Sequence, residues 1–243
     1  MSLFVMADLH LSTNQATNKS MEVFGRRWQG YIEKTERNWR AVVSKNDTVI
    51  VPGDISWAMN TAEAKDDLLF LDSLPGRKII SKGNHDFWWT TVTKMKNFFE
   101  ENDIKTIDFL YNNALEAENA IICGSRGWFN DESFQNTVGG TSVDYDKIVS
   151  REVIRLTMSL EQAASLQKES GKEMIAFLHF PPVFGDFVCN EIVEVLKKYG
   201  ISRCYYGHIH GNYYLPGKFE FEGINFIIAS SDYLNFSPLP VYF

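Results

Sequence analysis

Five short apolar runs in this chain end abruptly in clusters of metal-ligating side chains, and this repetition constrains the fold more than any other feature. Leu3 to Ala7 leads into Asp8-Leu9-His10, Thr48 to Val51 into Pro52-Gly53-Asp54, and Lys78 to Ile80 into Ser81-Lys82-Gly83-Asn84-His85-Asp86. Met174 to Leu178 leads into His179, and Cys204 to Tyr206 into Gly207-His208-Ile209-His210. A strand buried on both faces has to be apolar, so polar groups converge where its carboxyl end opens into loops. The chain has five histidines and every one falls in these clusters. A lone histidine is usually a surface or satisfied core residue; five of five in one pattern are not.

The segments between the runs carry helical periodicity. Trp28, Tyr31, Ile32, Trp39, Val42 and Val43 predict an amphipathic helix over 26–45. Asn60 or Thr61 is positioned to cap a helix running through Ser73, and Pro75-Gly76 stops it. A third helix is expected from Thr90 to Glu101. Phe109 to Tyr111 and Ala120 to Gly124 read as strands leading into a second sheet. From Val149, the series Val153, Leu156, Leu160 and Ala163 or Ala164 has 4-3-4-3 spacing, predicting a helix that Gly171 ends. Glu191 to Lys198 reads as another helix, Ile224 to Ala229 as a late strand, and the apolar tail 236–243 as a segment docked on the domain. The β-α-β-α-β order favours parallel pairing with right-handed crossovers.

At 243 residues and 44% hydrophobic content, the chain can build one large core, and a single domain over 1–243 is expected. Residues 128–147 are polar and lack periodicity, which predicts a long loop or cap. With 24 basic against 31 acidic residues and a net charge of -7, non-specific grip on a phosphate backbone is disfavoured. Cys123, Cys189 and Cys204 are odd in number and unpaired in spacing, which fits a reduced, cytoplasmic setting. No apolar stretch is long enough to span a bilayer, and the amino terminus lacks a signal-peptide pattern.

Collected, the clusters offer carboxylates, imidazoles and one amide, the donors suited to Mn, Fe, Zn or Co; an all-oxygen set would favour Mg or Ca. The ordered series Asp-x-His, Gly-Asp, Gly-Asn-His-Asp, a strand-end His and Gly-His-x-His resembles the calcineurin-like metallophosphoesterases over residues 8–210. That resemblance implies a four-layer α/β/β/α sandwich of two mixed β-sheets flanked by helices. It implies two divalent transition metals, manganese first, one on Asp8, His10, Asp54 and His210, the other on Asp54, Asn84, His179 and His208. Asp54 bridges them, since a carboxylate can bind two cations where an imidazole cannot. The implied chemistry is hydrolysis of a phosphodiester or phosphomonoester by metal-bound hydroxide.

The family pattern leaves His85 off the metals, as general acid. Asp86 either accepts from the His85 ring or stabilises the loop or the following helix. Arg126, in Gly124-Ser125-Arg126-Gly127-Trp128, is a candidate for gripping a substrate phosphate, with a surface salt bridge as the bland alternative. The family commonly has a second acidic residue shortly after Gly-Asp, whereas this chain reads Gly53-Asp54-Ile55-Ser56-Trp57, which bears on subfamily. A small molecule or nucleotide ranks first as substrate; nucleic acid and phosphoprotein follow, and no membrane partner is expected. A non-catalytic scaffold of the same fold ranks below the enzyme because the ligand set is complete. A dinucleotide-binding oxidoreductase is excluded by the lack of Gly-x-Gly-x-x-Gly after the first strand.

Overall fold

The structure, a computed structural model, describes residues 1–14, 19–128 and 145–241. Of the expected loop or cap at 128–147, residues 129–144 lie outside the described residues.

In chain order the elements are β1 (Leu3–Val5), α1 (Tyr31–Val42), β2 (Thr48–Pro52), α2 (Lys65–Ser73), β3 (Arg77–Ser81), α3 (Val92–Glu101) and β4 (Ile107–Phe109). There follow β5 (Leu115–Ala117), β6 (Ala120–Ser125), α4 (Tyr145–Ser170), β7 (Glu173–Leu178) and a small hairpin, β8 (Val183–Phe184) with β9 (Phe187–Val188). The last elements are α5 (Asn190–Lys198), β10 (Arg203–Tyr206), β11 (Lys218–Phe221), β12 (Ile224–Ile228) and β13 (Leu239–Val241).

One sheet has the order β13-β1-β2-β3-β4 and the other β11-β12-β10-β7-β6-β5. Inner pairs are parallel, while β13, β11 and β5 close the edges antiparallel, so both sheets are mixed. Strand alternation then produces three cores. Leu3, Val5, Ile50, Ile79, Ile175, Phe177 and Tyr205 meet between the sheets. Phe4, Val49, Val51 and Ile80 point the other way, onto Trp39, Leu68, Leu71, Met95 and Phe99 of the first three helices. Met174, Ala176, Leu178 and Cys204 pack against Leu156, Leu160, Ile192 and Leu196 of α4 and α5. Helices, sheet, sheet and helices thus form the four expected layers, with both faces of each sheet covered.

The ends of elements shift for local reasons. The first helix starts at Tyr31, because Arg26–Trp28 forms a 3-10 turn and Gly30 takes a left-handed conformation, φ 59°. The second starts at Lys65; Asn60 instead closes a preceding turn, its side chain accepting from the Glu63 N–H at 3.0 Å. Thr91, one residue beyond the expected start, caps α3 by accepting from the Lys94 N–H. The fourth helix begins earlier than its apolar periodicity, at Tyr145. Expected at 109–111, β4 ends at Phe109. The tail docks as β13, in register with β1.

Lys78 is fully buried in β3. Its Nζ donates to the carbonyls of Asp72 at 3.0 Å and Leu74 at 2.6 Å, closing the carboxyl end of α2, where backbone carbonyls lack helical partners. Lys78→Met keeps the length but leaves the Leu74 carbonyl without this donor and the Asp72 carbonyl with only the Thr106 hydroxyl at 3.2 Å, so a loss of about 1–3 kcal/mol in urea unfolding is expected. Burial pushes the ammonium down to about 8. Above that value and below the ordinary lysine range the unfolded chain binds the extra proton, so wild-type stability relative to the variant rises with pH there. Equal unfolding midpoints for the two proteins at pH 7 overturn this role.

Candidate metal centre

The ligand clusters meet because both sheets present the carboxyl ends of their parallel strands at one seam. His179 continues the inward face of Ile175 and Phe177, one step past β7, and its Nδ1 lies 3.1 Å from the Pro52 carbonyl at the end of β2. Ala7, past β1, bridges to Ser230 past β12, which draws Asp8 across to the Gly207-His208 loop. There the His208 N–H donates to Asp8 Oδ2 at 2.8 Å. Four of the clustered residues, Asp8, His10, Asp54 and His208, have positive φ, between 45° and 70°, and so hold uncommon backbone conformations.

All seven predicted ligands converge. Ligand atoms of Asp8, His10 and His210 lie within 4.8 Å of one another, as do those of Asp8, Asp54 and His179. Asp54 Oδ2 stands 3.6 Å from His10 Nε2 and 3.6 Å from His179 Nε2, between the two predicted sets. Asn84 Oδ1 lies 2.6 Å from His179 Nε2 and 3.1 Å from His208 Nδ1.

Divalent cations fit this donor set on three grounds. Asp8 Oδ1 and Asp54 Oδ2 are buried and have no hydrogen-bond partner among the described residues. Acceptors face acceptors: with Nδ1 of His179 donating to Pro52, its Nε2 lone pair meets Asn84 Oδ1. Two ring nitrogens also converge: His210, held through Nδ1 by Asp232 at 2.8 Å, brings its Nε2 to 3.1 Å from His10 Nε2. The electrostatics are also those of a cation site. Burial, and then the Asp54 charge, push the Asp8 carboxyl up to about 8, against the pull of His210. Burial raises Asp54 as well, and pushes the His179 ring down to about 3. Burial acts on His210 in the same sense, but Asp232 and the site carboxylates outweigh it and lift the ring to about 9. A shared positive charge offsets both kinds of penalty.

The loops allow this convergence through close backbone contact. A Cβ on Gly83 would sit 2.1 Å from Asp54 Oδ1, and one on Gly207 2.7 Å from Asp8 Oδ2. Only glycine fits at these two points.

Asp86 does not orient His85. It is fully buried, and both oxygens are taken: Oδ1 accepts from the Ile55 and Ser56 N–H groups and Trp88 Nε1, and Oδ2 from the Asp54 and Gly83 N–H groups. Its side chain is a loop clamp, because adjacent residues at this turn project away from each other. Burial and Asp54 push its carboxyl up to about 7, against those donors. His85 itself is half-buried beside the ligands. Its N–H donates to Asp54 Oδ1 at 2.8 Å, and its ring centroid lies 4.4 Å from that of Trp57 and 5.7 Å from that of His10. Arg126 is not among the ligands. Its carbonyl accepts from the His179 and Phe180 N–H groups, and its guanidinium lies near Phe180 and 3.9 Å from Glu152.

Two residues were not anticipated. Asp232 accepts from His210 Nδ1, from the Gly211 N–H at 3.1 Å and from the Tyr213 hydroxyl at 2.9 Å. It follows the apolar run Ile224 to Ala229, so the signal that exposed the other sites was present there too. Trp57 stacks on His10, with centroids 4.9 Å apart and planes at 23°. The Gly-Asp-Ile-Ser departure also has a local role, since Ile55 and Ser56 supply Asp86 with two of its donors.

A model of the calcineurin-like phosphoesterases matches residues 1–212. A solved phosphopantetheinyl hydrolase from Mycobacterium tuberculosis aligns with TM-score 0.54 over 99% of this chain and 95% of that one, at 15% identity. A Thermus thermophilus protein aligns with TM-score 0.53 over 95% and 89%, at 10% identity. A protein of unknown function from Aquifex aeolicus aligns with TM-score 0.49 over 98% and 95%, at 18% identity. At these identities the Mycobacterium and Thermus likenesses concern the fold alone. No curated protein matches the sequence significantly.

Carboxylates behind metal-binding histidines fix the ring and its tautomer, and their loss typically costs about 10- to 100-fold in metal affinity. Asp232→Asn is therefore expected to weaken Mn²⁺ binding by that factor in competition with a chelating dye, and, because the amide turns a donor toward the donors on one of the two oxygens, to lower the melting temperature as well. Unchanged affinity removes Asp232 from the site.

Proposed function

The chain belongs to the calcineurin-like phosphoesterase family, and from that premise we propose that it is a two-metal phosphoesterase acting on a small molecule or nucleotide. The observation that carries this is the buried, unpartnered Asp54 Oδ2, set at equal distances from a ring nitrogen of each ligand set. Asp8, His10, Asp54 and His210 would hold one divalent cation, and Asp54, Asn84, His179 and His208 the other, with manganese the first choice. Such a pair, when bound, activates water and stabilises charge on the phosphoryl oxygens.

The protein's own residues do the rest. Asp232 and the Pro52 carbonyl hold His210 and His179 by Nδ1 and so commit each Nε2 to the centre. A cavity of about 620 Å³ opens over His10, Asp54, His85, His208 and His210, with Met21, Phe24, Trp28, Trp57 and Tyr213 among its walls. Those walls favour an apolar or aromatic substituent next to the phosphoester. His85 borders both cavity and ligands, where it can give a proton to the leaving oxygen. An acidic chain with an aromatic-walled chamber of small-molecule size supports a compact substrate over a nuclease or protein phosphatase activity.

The same proposal covers a single catalytic domain over 1–243 and a cytoplasmic setting, supported by three buried free cysteines. Among the described residues no helix is long and apolar enough to cross a membrane.

Purified protein with added Mn²⁺ is expected to hydrolyse bis(p-nitrophenyl) phosphate, and Asp54→Ala to lose that activity together with its bound metal. Monoester preference would redirect the assignment to a phosphatase, and no turnover with metal confirmed bound would leave a scaffold. General acid catalysis contributes about 10²- to 10⁴-fold. His85→Ala should accordingly slow esters of alcohols more than esters of acidic phenols, and equal losses on both remove the proton-donor role.

A further inference from the structure

A second cavity, of about 350 Å³, lies between the carboxyl ends of β3, β4 and β6 and the amino-terminal part of α4. It adjoins the metal centre: Ser81 and Lys82 lead directly to Asn84, and the Arg126 carbonyl holds the His179 N–H at 3.1 Å.

Its walls are strongly cationic in an acidic protein. Lys82, Arg126, Arg151 and Arg155 line it against one carboxylate, Glu152. Glu152 is buried, and its Oε1 holds the Arg155 guanidinium, with Arg126 at 3.9 Å from the same oxygen. Lys82 and Arg151 have no ion-pair partner among the described residues. Four lining residues also carry a buried polar atom without a hydrogen-bond partner among the described residues: Ser81 Oγ, Trp89 Nε1, Arg126 Nε and Glu152 Oε2. Three of these residues are more than nine-tenths buried, Ser81 at 2%, Trp89 at 7% and Glu152 at 1% exposure.

Buried polar atoms in folded proteins are nearly always satisfied, by protein, water or ligand, so several in one cavity mark a polar site. Excess positive charge sets its sign, and planar guanidinium forks suit the oxygens of a phosphoryl group. Two neutral donors, Ser81 and Trp89, add directional contacts. Glu152 keeps Arg155 in position and offers one free oxygen to a ligand hydroxyl.

We propose that this cavity binds a second phosphoryl group, so that the substrate is a small molecule bearing one phosphoester at the metal centre and a dianionic phosphate elsewhere. The substrate assignment rests on the phosphoesterase reading above; the anion site does not.

Two experiments separate the claims. In the first, calorimetric titration of tripolyphosphate into the protein with excess EDTA reports the cavity without metal. Binding is expected in wild type and in Asp54→Ala, and about tenfold weaker binding or worse in Arg151→Gln/Arg155→Gln. Arg151→Gln alone, at an exposed residue, serves if the double variant melts early. No binding in wild type, or equal binding in the arginine variants, overturns the anion site. In the second, adenosine 3′,5′-bisphosphate and adenosine 5′-monophosphate compete with bis(p-nitrophenyl) phosphate in the presence of Mn²⁺. The bisphosphate should inhibit about tenfold more tightly in wild type, and the ratio should fall toward one in the variants while KM for the reporter stays unchanged. A ratio near one in wild type, with the calorimetric site intact, overturns the substrate assignment alone. Absence of reporter turnover in wild type counts against the phosphoesterase reading and leaves the calorimetric result standing.

Discussion

Five donors converge on the carboxylate of Asp86, and the rest of the site depends on that convergence. Removing a carboxylate from water is costly, and hydrogen bonds from four backbone N–H groups and one indole offset the cost. The donors come from two loops: 54–56 after β2, and Gly83 with Trp88 after β3. The clamp therefore fixes the separation of the loops that carry Asp54 and Asn84. A second contact finishes the register, since the His85 N–H donates to Asp54 Oδ1 and leaves Oδ2 unpartnered. The approach is so close that position 83 has no room for a side chain.

Holding the ligands this way strains the backbone. Asp8, His10, Asp54 and His208 occupy left-handed conformations that cost on the order of 1–3 kcal/mol each outside glycine. What over-determines them is the packing below. Three apolar layers and parallel ladders anchor β1, β2 and β10, and the strained residues lie two to five positions past those anchors. His208 is tied by its N–H to Asp8, and the Asp8 carbonyl accepts the Ser231 hydroxyl at 2.6 Å. Strain at each ligand is thus borne by a contact made with another ligand's loop.

The ligand positions were legible because strand ends concentrate polar residues wherever both sheet faces are covered. His10, Asp54, His179 and His210 each follow an apolar run too short to be anything but a buried strand. Asp232 carries the same signature, but without a histidine or glycine motif it looks like an ordinary turn acid after Ser230-Ser231. Asp86 was harder: adjacency to His85 in sequence suggests contact, whereas the turn sends the two side chains to different neighbours. The edge strands β5, β11 and β13 were hidden for another reason. They are only three or four residues long: Lys218-Phe219-Glu220-Phe221 alternates, but over a span too short to stand out, and Leu239-Pro240-Val241 contains a proline that suits an edge. The start of α1 was set by Gly30, a single residue that the periodicity of Trp28 and Tyr31 spans without noticing.

Sheet order also explains why the two flanks of the centre differ. The ligands occupy the ends of β1, β2 and β3 in one sheet and of β7 and β10 in the other. Past β3 and β7, toward β4 and β6, the loops supply Lys82 and Arg126, and α4 adds Arg151 and Arg155. On the opposite flank the 21–28 turns and the 209–213 loop supply Met21, Trp28, Ile209 and Tyr213. The seam therefore has cations at one end and aromatic surface at the other. Because the chain's net charge is -7, the positive potential stays local to that flank. A polyanion long enough to leave it meets net repulsion beyond the cavity, whereas a compact phosphate ester keeps the attraction without it.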